Sequence, residues 1–151
     1  MAKLSDWRPA GAGRHSLSCA LPADGWNVQL VADKTDALAC LVWELTLTRA
    51  GDAPDGFTLK AWARDVAERA TGLLEPLKVL EVDADRGEAI LRSTAPAKKG
   101  EAVAYYEVKL AGTQKATARR FTANFVECGR AQIAFALTHE VLGKLAGDIA
   151  G

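Results

Sequence analysis

Two adjacent arginines, Arg119 and Arg120, are the side chains of this sequence best suited to holding an anion. They stand in the stretch "KATARRFTANF", Lys115 to Phe125. A pair of guanidinium groups can clamp a phosphate or carboxylate through forked hydrogen bonds, provided both reach the same side. The stretch reads as extended chain, and in a strand consecutive side chains leave opposite faces. The two residues are therefore expected to act separately. Arg120 shares a face with Thr122 and Asn124, which reads as the solvated one, while Arg119 shares a face with Phe121, Ala123 and Phe125. Burying a lone guanidinium costs several kcal/mol, so Arg119 is expected at a strand end, snorkelling outward, or against a carboxylate. On this reading Arg120→Ala changes stability by less than about 1 kcal/mol.

Other groups able to do chemistry are poorly placed for it. "DADRGE" brings Asp83, Asp85 and Glu88 together, but Gly87 takes the fifth position, where a calcium loop needs a ligand. A tight turn between strands explains the same residues. "THEVLGK" begins as a His-Glu-x-x-His zinc helix would, yet Gly143 stands where the second histidine belongs, and His15 is the only other histidine. Cys19, Cys40 and Cys128 are odd in number and widely spaced, which suits buried thiols better than a disulfide framework or zinc motif. The sequence holds no Gly-x-Ser-x-Gly elbow, no phosphate loop and no dinucleotide fingerprint. No metal, cofactor or catalytic residue is expected, and an enzyme is the lesser reading.

Trp26, Trp43 and Trp62 are expected on the apolar faces of two strands and a helix, where core packing explains them. A ligand cavity between helix and sheet would use the same three residues.

The elements that must position these groups follow from periodicity. Residues 1–13 read as a loose arm carrying Trp7, and residues 14–151 as one domain. "SLSCALP", "WNVQLVA" and "ACLVWELTLT" alternate with the two-residue period of half-buried strands, the last placing Leu41, Trp43, Leu45 and Leu47 on one face. Leu59, Trp62, Val66, Ala70 and Leu73 then recur at helical spacing. They predict a helix over about 58–71, with Thr58 as its N-cap, Gly72 as its stop, and Arg64–Glu68 and Asp65–Arg69 pairs outside. Hairpins are predicted to turn at Asp83 to Gly87 and near Gly112 to Lys115. "APAKKGE", with Lys98 and Lys99, is expected as a solvated loop, and "CGR" as a further turn. "AQIAFALT" places Ile133, Phe135 and Leu137 on one side, and a helix closes the chain from about residue 139.

This order predicts an α+β domain: a single antiparallel sheet of about six to eight strands, with a central helix and a C-terminal helix packed on it. At 151 residues, with 49% hydrophobic and 25% charged side chains, the chain is long enough to bury a core without metal or disulfide. Nineteen basic residues balance nineteen acidic ones, which removes the broad positive field of a nucleic-acid binder. No run of residues is apolar enough for a signal peptide or a membrane span, so a cytoplasmic protein is expected.

The early Leu21, Pro22, Gly25 and Trp26, followed by a strand, a long loop, the helix "LKAWARDVAERA" and several hairpins, resembles the PsbP-like fold family over about residues 15–150. That family includes photosystem extrinsic proteins, a Ran-binding nuclear import factor, DcrB-type lipoproteins and type VI secretion adaptors. The resemblance implies a domain that binds other proteins rather than catalyses. It transfers no functional residue. The expectation is thus an adaptor-like protein binder using a sheet face or edge, without nucleic acid or membrane span and compatible with a homodimer. A carrier of small apolar ligands is the alternative.

Overall fold

The computed structural model describes residues 14–21, 25–34, 39–71, 73, 75–93, 97–99, 102–124 and 129–150. The expected arm at 1–13, the Gly72 stop and Cys128 of the predicted "CGR" turn lie outside them. Over these residues the chain is α+β, with ten strands and two helices described: β1 (Arg14–Leu21), β2 (Trp26–Lys34), β3 (Ala39–Arg49), α1 (Leu59–Arg69), β4 (Leu77–Asp83), β5 (Glu88–Ser93), β6 (Ala97–Lys99), β7 (Ala102–Ala111), β8 (Lys115–Asn124), β9 (Gly129–Ile133), β10 (Phe135–Thr138) and α2 (His139–Ala150). All ten strands join one sheet, and its main path runs β1-β2-β3-β8-β7-β5-β4. Every pairing is antiparallel.

Two short pieces account for the strands beyond the expected eight. Ala97–Lys99, expected as part of a loop, pairs with Ala102–Ala104 of β7 as strand β6. A break at Ala134 divides "AQIAFALT" into β9, paired with β8, and β10, paired with β3. The division fills a fork in the sheet. β3 and β8 pair with each other only over Leu45–Thr48 and Lys115–Ala118. Beyond that point they part, and β9 takes the free edge of β8 while β10 takes that of β3.

Both helices form where their caps and apolar stripes agree. Thr58 adopts extended backbone and its hydroxyl accepts from the Ala61 amide at 3.2 Å, so α1 begins on the predicted cap. Its buried stripe is Trp62, Ala63 and Val66. On the outer side Asp65 meets Arg69 as expected, whereas Arg64 turns to Asp65 rather than Glu68. The Thr138 hydroxyl caps α2 by accepting from the Val141 amide at 3.1 Å, and Leu142, Leu145 and Ile149 are fully enclosed. The Trp62 indole donates to the Ile149 carbonyl at 2.9 Å, tying the two helices together across the core.

The core lies between these helices and one face of the sheet. It takes Trp26, Val28 and Leu30 from β2, Leu45 and Leu47 from β3, Leu91 from β5, Val108 and Leu110 from β7, and Ala116 and Ala118 from β8. The hairpin turns fall where predicted, at Gly87 and Gly112, both with positive φ that a side chain would strain. The Gly112 amide donates to the Gly87 carbonyl, joining the two turns.

One expectation about β3 is corrected. Val31 faces Glu44 but Ala32 faces Val42, so Trp43 is an extra residue in a β-bulge. The bulge shifts the alternation: Cys40 and Val42 are buried before it, Leu45 and Leu47 after it, and Leu41 and Trp43 are not on the core face.

Candidate functional site

Opposite the helices, the centre of the sheet presents a cluster of arginines and aromatic rings arranged around one carboxylate. Cross-strand register builds it. Glu107 of β7 faces Arg92 of β5 on one side and Arg119 of β8 on the other, while Tyr105 faces Phe121 and Phe121 faces Gln132 of β9. Glu107 is the anchor, with a side chain only 8% exposed, and its Oε2 accepts from Arg92 Nε at 3.0 Å and from Arg130 Nη1 at 2.8 Å. Charge-assisted bonds of this kind are among the stronger ones available to side chains.

Aromatic rings lie against those arginines. Arg92 lies over Tyr105 at 5.1 Å, and Arg130 lies over Phe121 at 3.9 Å. Arg130 Nη1 also contacts the Tyr105 hydroxyl at 3.3 Å, and that bond, with Glu107, holds its pKa above the ordinary arginine value. Tyr105 and Phe121 pack with centroids 5.9 Å apart. The two guanidinium groups keep 39% and 44% of their side chains exposed, so they are oriented yet accessible.

Arg119 sits at the fork of the sheet. Its Nε and Nη2 both lie 3.0 Å from Glu44 Oε2, and Glu44 Oε1 accepts from the Thr46 hydroxyl at 3.0 Å. The pair joins β3 to β8 where they part, and the bulge at Trp43 is what turns Glu44 to this face. Arg119 therefore meets a carboxylate, one of the outcomes expected for it.

Arg120 corrects the sequence reading. It points to the core side, across from Tyr106, and lies 13% exposed. Nη1 and Nη2 both donate to Glu75 Oε2 at 3.2 Å, and the guanidinium rests 4.1 Å over the Tyr106 ring. The expected solvated face of β8 is thus the helix-facing one. Its small residues Ala116 and Ala118 are buried in the core, while Phe121 lies on the open face. That the two arginines diverge was legible; which went where was not.

Trp26 and Trp62 are 2% and 1% exposed and pack together at 5.5 Å, within the core. Trp43 is on the open face, half-buried, with its indole donating to Asp33 at 2.9 Å and its carbonyl accepting from Gln132 at 2.6 Å. The three do not converge. Asp83 accepts from the Arg86 amide at 3.1 Å, as a turn residue does. Among the described residues no group of three His, Cys, Asp or Glu side chains could hold a metal. Cys40 and His139 are buried.

Sequence reasoning missed Glu107, Arg92 and Arg130, which are scattered over three strands. The usable signal was the β7–β8 hairpin: once the turn is set at Gly112 to Gln114, Glu107 must face Arg119 and Tyr105 must face Phe121.

Compared with descriptions of known families, with curated proteins and with solved structures, the chain matches none. No helix among the described residues is long and apolar enough to cross a membrane.

Proposed function

We propose that this chain is a non-enzymatic, adaptor-like domain that takes a protein partner on the open face of its sheet. The observation that carries this reading is the Glu107 cluster: two partly exposed arginines, set over Tyr105 and Phe121 and held by a shared carboxylate. Arginine and aromatic residues supply most of the energetic anchors of protein interfaces. Here their rotamers are already restrained, which lowers the entropy lost on binding. The resemblance to the PsbP-like family, whose members mostly bind other proteins, points the same way. A cytoplasmic setting accords with this role.

A photo-crosslinking residue at Gln132, on the open face, and another at Lys60, on the exposed side of α1, test the proposal in cells that make the protein. Capture of one defined polypeptide from Gln132 but not from Lys60 supports it. Equal capture from both, or none from Gln132, counts against it.

A further inference from the structure

Arg49 differs from the other strand arginines whose side chains are described. Arg92, Arg119, Arg120 and Arg130 each meet a carboxylate within 3.2 Å. Arg49 ends β3 on the core side, across from Trp26, and among the described residues it meets none. Its guanidinium carbon lies 4.3 Å from the Trp26 ring centre and 4.7 Å from that of Phe57, so two aromatic faces hold it. Nε donates to the Thr113 carbonyl at 2.9 Å, and the main-chain amide donates to the Gln114 carbonyl at 2.7 Å. These contacts fix the group without neutralising it.

What remains is a donor without an acceptor. Nη2 is buried and makes no hydrogen bond. Aromatic faces attract a cation, but they do not satisfy the donors in its plane. Partial burial also lowers the Arg49 pKa from its ordinary value, with no carboxylate acting to restore it. A buried donor of a charged group is costly to leave unpaired, and an anion would complete it.

We infer that the Arg49 guanidinium, clamped by Trp26 and Phe57 beside the β7–β8 turn, is the docking point of an oxyanion, a carboxylate or phosphoryl group. The guanidinium donors left over after the Thr113 bond suit either group. The site lies at the end of the core, on the side of the sheet away from the Glu107 cluster, and does not depend on that cluster having a partner.

The test uses the full chain in a chloride buffer, titrated separately with acetate and with inorganic phosphate while the arginine Nε–H resonances are followed by NMR. The exposed turn residue Arg86 is the internal control. The Arg49 signal is expected to shift saturably, with half-saturation near about 1 mM, a weak-ligand affinity, at no more than about one tenth of the concentration that moves Arg86. Saturation by acetate alone identifies a carboxylate, by phosphate alone a phosphoryl group, and by both a site for either. An Arg49 signal that moves no more than that of Arg86 overturns the inference. Thermal melts give a second reading: phosphate should raise Tm more in the native chain than in Arg49→Met, and equal rises contradict the site. Should Arg49→Met fail to fold, the resonance titration of the unaltered chain decides alone.

Discussion

Arg120 and Glu75 join the centre of the sheet to the segment that follows α1. Both terminal nitrogens of the guanidinium donate to one carboxylate oxygen at 3.2 Å, and each side chain is 13% exposed. The second oxygen, Glu75 Oε1, is buried without a hydrogen-bond partner. The pair is thus well aligned but incompletely satisfied, a condition in which losing one member is far worse than losing both.

Arg120→Ala is accordingly expected to lose about 2 kcal/mol, somewhat below the cost of breaking a fully buried pair. It also removes the contact with Tyr106. Replacing Arg120 and Glu75 together, as Arg120→Met with Glu75→Leu, should recover about half of that loss. Urea titration of the single and double variants measures both quantities. A loss below about 1 kcal/mol for Arg120→Ala would mean the pair is dispensable, as exposed pairs are.

Tyr106 provides a pH signature of the same region. Burial raises its phenol above the ordinary 10.0; Arg120 opposes the rise and Glu75 adds to it. The folded chain therefore keeps this proton to higher pH than the unfolded chain does. The resulting stabilisation is intact below the ordinary tyrosine value and is lost as pH climbs from there through the raised one. Denaturation midpoints should fall above about pH 10, and less steeply in Tyr106→Phe. Identical slopes in the two proteins would show that burial does not perturb this phenol.

Glu107 holds two arginines but has exposed partners. Glu107→Ala should cost about 1 to 2 kcal/mol, because Arg92 and Arg130 can turn to water once released. Its sharper effect is on order: the Nε–H resonances of both arginines should lose their dispersion. Resonances that stay in place would mean the rings alone position these groups.

The parts of the fold that could be read from sequence were those set by local chemistry. The Thr58 cap, the helical stripe through Trp62 and Val66, and the turns at Gly87 and Gly112 all depend on residues within a few positions of one another. The bulge at Trp43 depends instead on where β3 leaves β8 and accepts β10, and an uninterrupted two-residue period hides it. The exchange of Arg119 and Arg120 has a related cause. Phe121 is the most apolar residue of β8, yet the core takes the face that carries the small residues Ala116 and Ala118. The Glu107 cluster was the least legible, since its members come together only when three strand pairings, β5–β7, β7–β8 and β8–β9, are all set in register.

The central claim is that the open face binds a polypeptide, and affinity capture from the native cell tests it most directly. The tagged chain is compared with Arg130→Glu and Tyr105→Ala variants whose circular dichroism matches the parent. One defined protein should be recovered with the parent, and its recovery should fall at least about tenfold with either variant, the effect of losing an interface anchor. Recovery of the tagged chain alone, under conditions that preserve weak complexes, or undiminished capture by both variants, would contradict the account.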